Sequence, residues 1–393
     1  MRQLSLIFIL YLFSTTLAFS AATAIRPGAE RLPIYLALLQ NKNVAVFINQ
    51  SSLIGHTPLV NVLLNHQVRI TKIFTPEHGI TGTAEGTIRN GVDLQNGIPI
   101  ISLYGKKFKP SADDLQDVDV IVFDIQDVGV RFYTYISSLQ KLMEAAVDNN
   151  KPLIILDRPN PNGFYVDGPV LDPKYKSFTG MQPIPVVYGM TMGEYAKMLI
   201  GELWLKVTPK SKARRLQLTI IPCANYTHKS HYEPPVKPSP NLPNIQSIYW
   251  YPSIGLMEAT VLSVGRGTKK PFQQFGHPLL PTKFTFTPTA TASAKFPSFK
   301  NKHCHGWNLA SSKAETLKKI GGKLRIHYLI QAYQLFPNKN YFFAGFSASS
   351  GNDLLEKQIK AGMNEQEIRK SWQPQLAEFK KIRKKYLLYR DFE

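Results

Sequence analysis

The sequence predicts an α/β fold in which a doubly wound, mostly parallel sheet is followed by a second, smaller α+β domain. In the first half of the 393-residue chain, short apolar runs rich in β-branched residues alternate with stretches of helical periodicity. Nearly continuous apolar runs bounded by turn residues are typical of parallel strands buried on both faces. After about residue 205 the chain changes to a basic segment, a proline-rich stretch and isolated elements. This change predicts a separate C-terminal unit.

Five apolar runs in the first half are the predicted strands of the sheet. They cover 44–48, 68–74, 98–103, 118–124 and 153–157. Between the last two, apolar residues from Ile136 to Ala146 recur on one helical face, which predicts a helix over 133–147. Strands that alternate with helices indicate parallel neighbours with helices on both faces of the sheet.

The second half is predicted to be the smaller α+β domain. We place the sheet domain at 25–205 and the C-terminal domain at 206–393. The tail is predicted to contain two helices, because Pro374 is tolerated in the first turn of a new helix. The predicted elements of this half are strands at 216–221 and 283–287 and helices at 323–335, near 364–372 and from Pro374 onward.

Residues 1–24 have the order of a secretory signal peptide. Arg2 precedes an apolar run over 4–13, and Ala22-Thr23-Ala24 offers a small-residue cleavage site. A membrane anchor needs about 18 or more apolar residues, and Ser14 interrupts this run too early. The sequence therefore predicts cleavage near Ala24, export to the periplasm or the medium, and no stable membrane insertion afterwards.

The charge and the cysteines limit the classes of partner. The formal net charge is +20, which suits a polyanionic partner such as the cell envelope. Nucleic acid is disfavoured, because the aromatic-interleaved basic stripe of nucleic-acid modules is missing. Cys223 and Cys304 are too few to define a disulfide framework, so their pairing stays open. His303-Cys304-His305 lacks the second ligand pair of a zinc site, so no metal is predicted.

Polar side chains collect directly after four predicted strands. Ligands of open α/β sheets bind beyond the carboxyl ends of the strands. Burial of this many charges without partners is costly, so their convergence predicts a functional site. The residues are Asn49 and Gln50, then Glu77 and His78, then Asp124, Gln126, Asp127, Arg131 and Tyr133, and finally Asp157, Arg158 and Asn160.

Several kinds of chemistry lack their motif in this chain. No G-x-G-x-x-G follows the first predicted strand, so a dinucleotide cofactor is disfavoured, and no phosphate-binding G-x-x-x-x-G-K loop is found. The G-x-S-x-G turn of serine hydrolases is also missing. Carboxylates, amides and arginines without a cofactor remain. Glycoside hydrolysis needs this equipment, namely one protonated carboxyl and a second group that handles the anomeric centre.

Several motifs, in order over nearly the whole mature chain, match one known family. The chain resembles the NamZ-like exo-β-N-acetylmuramidases. The motifs are Pro76-Glu77-His78-Gly79, FDIQDVGVRFYTYI at 123–136, LDRPNP at 156–161, GPVLDP at 168–173, PIPVVYGMTMGE at 183–194, PSPNLP at 238–243, GRGTKKPF at 265–272 and RKKYLLY at 383–389.

The resemblance implies a fold, an activity and a substrate. It implies a Rossmann-like domain and a C-terminal domain with the active site between them. It also implies release of N-acetylmuramic acid from the non-reducing ends of peptidoglycan fragments, such as saccharides of N-acetylmuramic acid and N-acetylglucosamine. Three stretches depart from the family pattern, at 84–87, at Val264 and after Asp353. These departures concern substrate preference more than the reaction class.

Candidate roles follow for the acidic and polar residues. Glu77 is the predicted general acid, and His78 either tunes it, binds the sugar or is structural. Asp124 and Asp127 either contact the sugar and its acetamide group or hold Arg131 in place. The remaining predicted substrate-binding residues of this type are Asn49, Gln126, Tyr133 and Asp157 from the sheet domain, and Asn241 and Glu258 from the C-terminal domain.

Three arginines are candidates for the lactyl carboxylate of N-acetylmuramic acid, namely Arg131, Arg158 and Arg266. A planar guanidinium suits bidentate recognition of a carboxylate. A structural salt bridge is the alternative for each of the three.

The second catalytic group and one rival function stay open. The substrate's own acetamide, a water-activating carboxylate or a nucleophilic carboxylate would each complete the reaction. The rival is a non-catalytic exported protein that binds muropeptides or other carbohydrates between its two lobes. That protein would not require Glu77, so substitution of Glu77 separates the two functions.

Overall fold

The computed structural model describes residues 24–83, 89–211 and 215–393. The predicted signal peptide, apart from Ala24, and the departure at 84–87 lie outside these residues. The strands of the described chain are β1 (Asn43–Ile48), β2 (Leu53–Ile54), β3 (Thr57–Pro58), β4 (Arg69–Thr75), β5 (Gly91–Val92), β6 (Pro99–Ser102), β7 (Val120–Asp124), β8 (Leu153–Leu156), β9 (Asp167–Val170), β10 (Pro185–Val187), β11 (Leu218–Ile221), β12 (Gln274–His277), β13 (Phe284–Phe286) and β14 (Cys304–Asn308).

A central sheet organises the first half of the molecule. Its strand order is β11, β8, β7, β1, β4, β6 and β5. All neighbours are parallel except β5, which is antiparallel to β6 at one edge. The first strand, β1, lies in the middle of the sheet. The chain then adds β4 and β6 on one side of β1 and returns to place β7 on its other side. This is the doubly wound topology, so the predicted fold class is confirmed.

Helices cover both faces of the sheet because its strands are apolar on both faces. In β1, Val44 and Val46 join one apolar cluster, whereas Ala45 and Phe47 join the cluster on the opposite face. The helices of the described chain are α1 (Leu32–Leu39), α2 (Leu59–Asn65), α3 (Ala112–Leu115), α4 (Tyr135–Asp148), α5 (Met192–Gly201), α6 (Ile245–Ile254), α7 (Lys313–Ile320), α8 (His327–Leu335), α9 (Phe346–Ser350), α10 (Leu354–Lys360) and α11 (Glu365–Lys384).

Strand β11 belongs to the central sheet, although the sequence analysis placed its residues in the C-terminal domain. It pairs in parallel with β8, from Leu218 with Leu153 to Ile221 with Leu156. The residue pattern of a short strand does not show which sheet the strand joins, so the sequence did not reveal that β11 pairs with β8. The domain boundary predicted at 205–206 stays a prediction.

The C-terminal half contains a small antiparallel sheet, ordered β12, β14 and β13, with helices around it. The tail differs from the prediction, because α11 is one helix of 20 residues with Pro374 in its interior. An internal proline costs about 3 kcal/mol. The buried stripe runs through both halves of the helix, from Ile368 and Trp372 to Leu376 and Phe379. Continuous packing along this stripe stabilises the single helix.

The two halves of the molecule share one apolar cluster. It includes Phe123 of β7, Trp250 of α6 and Phe379 of α11. The shared cluster therefore packs the C-terminal half against the sheet domain. In the part of the chain that the structure describes, no helix is both long and apolar enough to cross a membrane.

Candidate active site

A cleft lies where the carboxyl edge of the sheet meets the C-terminal half. It consists of an inner pocket of about 150 Å³ and an outer pocket of about 360 Å³. Glu77, His78, Glu258 and Arg266 line both pockets, so the two are one continuous space. The inner pocket is further lined by Phe132, Tyr133, Thr134, Tyr135, Ser239, Asn241, Leu242, Tyr251 and Phe272.

Glu77 is presented to the cleft directly after β4 and is half-buried. Thr134 Oγ1 donates a hydrogen bond of 3.2 Å to Glu77 Oε2, and the Tyr104 hydroxyl also bonds the carboxylate. Burial and the negative charge of Glu77 raise the pKa of Tyr104 well above its usual range. Glu77 is therefore a carboxyl group of fixed orientation, in contact with the cleft on one side and with two hydroxyl groups on the other.

His78 follows Glu77 with an unusual backbone. Its φ is +72°, in the left-handed region that non-glycine residues rarely adopt. Such backbone strain often occurs at functional sites. Here it turns the chain sharply after β4, so that Glu77 and His78 both line the cleft.

Glu258 and Arg266 form the opposite wall. Arg266 Nη1 lies 3.3 Å from Glu258 Oε1, and both side chains keep about a third of their surface exposed. The low-dielectric walls raise the pKa of Glu258, Arg266 opposes this shift, and the nearby charge of Glu77 adds to it. Within the described residues, Glu77 and Glu258 are the two carboxylates that line the cleft.

Tyr133 and Asn241, two of the residues predicted to bind substrate, line the inner pocket. The Tyr133 hydroxyl donates to the Pro238 carbonyl (2.8 Å), and its ring packs edge-on against Tyr135 and Tyr251. Asn241 donates to the Ser293 carbonyl (2.9 Å). Asn241 Oδ1 is buried and has no hydrogen-bond partner among the described residues. This orphaned acceptor can receive a hydrogen bond from a sugar hydroxyl or amide.

Asp124 and Arg158, two predicted site residues, bind each other instead of lining the cleft. Arg158 donates through Nε to Asp124 Oδ1 (2.5 Å) and through Nη2 to Asp124 Oδ2 (2.9 Å), and both side chains are almost completely buried. Arg158 also donates to the Leu53 carbonyl. This bidentate pair corresponds to the structural alternative for Arg158. Asp124 is structural too, but it holds Arg158 rather than Arg131, and the pair ties β7 to the segment after β8.

Asp127, the other predicted catalytic aspartate, is buried behind the cleft. It accepts hydrogen bonds from the Gly129 amide (2.6 Å) and from the Tyr188 hydroxyl. Burial raises the pKa of Asp127 to about 6. Asp127 thus closes the turn between β7 and α4, and its placement does not support contact with a sugar.

Arg131, a predicted ligand of the lactyl carboxylate, pairs with no carboxylate of the described residues. Its guanidinium donates to the carbonyls of Pro169, Ile184 and Ser349 at 2.8–2.9 Å. Burial lowers the pKa of Arg131 to about 9. Because Ser349 lies in α9, the buried Arg131 links the sheet domain to the C-terminal half rather than binding substrate.

Three further predicted residues are also used inside the protein. Asn49 donates to the Tyr135 hydroxyl (3.1 Å) and so positions a wall of the inner pocket. Gln126 donates to the carbonyls of Asp127 and Pro159. Asp157 accepts from Thr191, Gly193 and Tyr389 and so caps α5. Burial raises the pKa of Asp157 to about 6.

The sequence analysis missed several residues that form the cleft. Thr134 lies inside a recognised motif, and Ser239 lies in the PSPNLP motif, so both were within reach of it. Tyr104, which bonds Glu77 without lining either pocket, directly follows the predicted strand at 98–103, so the strand-end rule could have found it. Phe296 carries no local signal, because it neither follows a predicted strand nor belongs to a recognised motif. Sequence proximity to other polar residues thus identified only part of the site.

The described residues contain no group of three or more His, Cys, Asp or Glu side chains that could hold a metal ion. His303 and His305 instead contact Thr287 and the Thr282 carbonyl. Cys223 and Cys304 are both buried and not paired with each other.

Comparisons with known proteins match most of the chain, across both halves of the molecule. The model of the N-terminal domain of exo-β-N-acetylmuramidase NamZ matches residues 44–246, and that of the C-terminal domain matches residues 249–389. The peptidoglycan β-N-acetylmuramidase NamZ of Bacillus subtilis is 35% identical over 417 aligned positions, which cover 97% of each chain.

Two crystal structures of DUF1343 family proteins from Bacteroides fragilis share the fold. The first has a TM-score of 0.86 and 44% identity, over 94% of this chain and 100% of the other. The second has a TM-score of 0.74 and 27% identity, over 93% and 99% of the two chains. The chain belongs to the NamZ family of exo-β-N-acetylmuramidases.

Proposed function

We propose that this protein is an exo-acting glycoside hydrolase that releases N-acetylmuramic acid from the non-reducing ends of peptidoglycan fragments during cell-wall turnover. One observation carries the proposal. Glu77 and Glu258 line the same cleft, with Arg266 beside them, in a chain that belongs to this family. Two carboxyl groups at one cleft are the usual equipment for cleavage of a glycosidic bond.

Glu77 is the group that we assign to proton delivery. Glu77 lies across the cleft from Glu258, and its negative charge adds to the rise in the pKa of Glu258 that burial causes. Thr134 and Tyr104 fix the orientation of Glu77. A carboxyl group of fixed orientation within reach of the leaving oxygen is the geometry that a general acid needs.

Glu258 stands on the opposite wall as the candidate second group. It is placed to orient the substrate's acetamide or a water at the anomeric carbon, and it takes the role that the sequence analysis gave to Asp124 and Asp127. Arg266 neutralises part of its charge. The same arginine is the cation of the cleft that the lactyl carboxylate can reach, since Arg131 and Arg158 are engaged elsewhere.

Export and the substrate's location agree with each other. Peptidoglycan lies outside the cytoplasm, and we propose that the signal peptide over 1–24 directs the protein to the periplasm or the medium. Arg26 already pairs with Ala224 through both backbone groups. Cleavage after Ala24 therefore leaves this contact in place. Intact-mass measurement of the exported protein identifies the cleavage site.

Product analysis tests the proposed activity. Saccharides that carry a label at the reducing end and N-acetylmuramic acid at the other end should lose that terminal sugar first. Matched saccharides that end in N-acetylglucosamine should remain intact. Mass spectrometry over a time course distinguishes the two. Internal fragments would contradict the exo mode, and binding without any release would favour the rival, a non-catalytic muropeptide-binding protein.

A further inference from the structure

The outer pocket has an exposed aromatic ring at its rim. Phe296 lines this pocket together with Glu77 and Glu258, yet 90% of the residue is exposed to solvent. Phenylalanine is usually buried, because exposure of its ring to water is unfavourable. Because Phe296 lines the same pocket as Glu77 and Glu258, a ligand that extends from the two carboxylates into this pocket would cover its ring.

The segment that carries Phe296 is held in place on both sides. Asn241 of the inner pocket donates to the Ser293 carbonyl (2.9 Å), and Thr291 and Ala294 form a backbone bridge. Pro297 packs so closely on Gly267 that a Cβ on the glycine would lie 2.7 Å from the proline ring. The ring of Phe296 is thus presented by a fixed loop that contacts the cleft walls.

The residues that line both pockets mark the boundary between two binding positions for a saccharide. Glu77 and Glu258 lie at the junction, so the bond to be cleaved lies there. The inner pocket is smaller, has aromatic walls and contains the orphaned acceptor of Asn241, which suits one terminal sugar. The outer pocket reaches the exposed Phe296 and is the side on which a longer saccharide continues.

We propose that the outer pocket is a binding site for the sugar on the leaving-group side of the cleaved bond, an N-acetylhexosamine, and that Phe296 stacks on the apolar face of its ring. This inference rests on the proposed function. Leu262 and Val264 supply further apolar wall, and the exposed Ser298 lies beside them for the sugar's polar groups. An aromatic ring offers a large contact surface at a low cost in side-chain entropy.

The test compares two substrates that differ only on the leaving-group side. One is the disaccharide of N-acetylmuramic acid linked to N-acetylglucosamine, and the other is the methyl β-glycoside of N-acetylmuramic acid, whose methyl group is too small to reach Phe296. Phe296→Ala should lower kcat/KM on the disaccharide by about five- to tenfold, mainly through KM. Its kcat/KM on the methyl glycoside should stay at the wild-type value, and Phe296→Trp should restore the disaccharide activity.

Tyr341→Ala is the matched control, because Tyr341 is 72% exposed but does not line either pocket. It should leave both substrates unaffected. An NMR titration with methyl β-N-acetylglucosaminide measures binding without catalysis, and Phe296→Ala should weaken that binding. Equal losses on both substrates, or no loss on either, would overturn the inference. If the wild type binds the glycoside through Phe296 but releases no sugar, the proposed function fails and the binding site stands.

Discussion

Arg266 differs from the other two candidate arginines in what its guanidinium contacts. Arg131 donates to three carbonyl groups and Arg158 to a buried carboxylate. Arg266 lines the cleft and pairs with the partly exposed Glu258. N-acetylmuramic acid differs from N-acetylglucosamine by its lactyl ether, so a cation in the cleft is the group that can distinguish the two sugars.

Arg266→Ala should therefore lower kcat/KM on chromogenic β-glycosides of N-acetylmuramic acid selectively, by about tenfold to a hundredfold. Activity on the corresponding N-acetylglucosamine substrate should change little, so the ratio of the two specificity constants reports the effect. Arg158→Ala serves as the control. It breaks a buried ion pair, so it should lower the melting temperature without changing that ratio. An unchanged ratio in Arg266→Ala would contradict the assignment.

At the scale of elements, the loop between β7 and α4 depends on a buried acid. Asp127 accepts from Gly129 and Tyr188, and its Oδ1 has no hydrogen-bond partner within the described chain. Burial raises its pKa from 3.8 to about 6. The folded-state pKa is higher than the unfolded-state value. The contribution of protonated Asp127 to the free energy of unfolding is therefore fully present below pH 3.8 and is lost as the pH rises through about 6.

Asp127→Asn should make the protein more stable than wild type at pH 8, by up to about 3 kcal/mol, because the amide replaces a costly buried charge. At pH 4 the difference should vanish, since the wild-type carboxyl is then largely protonated in the folded state. Urea denaturation at the two pH values measures it. Activity should be retained; a folded Asp127→Asn variant without activity would return Asp127 to the catalytic group.

The strand-end residues show how far sequence predicts a site of this kind. Parallel topology correctly predicted that Glu77, His78 and the acids after β7 gather at one edge of the sheet. It did not predict which of them face the cleft. Asp124 and Asp127 are acids at the carboxyl end of a parallel strand, which is where functional acids of open α/β sheets also lie. Their side chains are engaged by Arg158 and Tyr188, which are distant along the chain.

The elements after residue 205 were harder to predict for the same reason. Strand β11 and helix α11 depend on long-range packing, on β8 and on the shared apolar cluster respectively. Local rules about proline predicted a break at Pro374 that tertiary contacts override. Arg266 belongs to a recognised motif, whereas Glu258 was predicted only as a cleft residue of the second domain. The fold shows that both line the same cleft as Glu77.

On the scale of the whole molecule, the candidate site exists only because the two halves pack together. Glu77 comes from the sheet domain, whereas Glu258, Arg266 and Phe296 come from the C-terminal half. The formal charge of +20 favours approach to an anionic wall polymer. Separation of the two halves would move Glu77 away from Glu258. We therefore expect activity to require the interface between the halves, which the bond from Arg131 to Ser349 supports.

The most direct test of the account is the turnover of Glu77→Gln on a disaccharide that ends in N-acetylmuramic acid. Loss of a general acid typically lowers the rate by about 10²–10⁴-fold, and we expect a loss in that range with an unchanged melting temperature. Glu378→Gln, an exposed glutamate of α11, is the control and should retain full activity. A folded Glu77→Gln variant that keeps more than about a tenth of the wild-type rate would contradict the central role of Glu77.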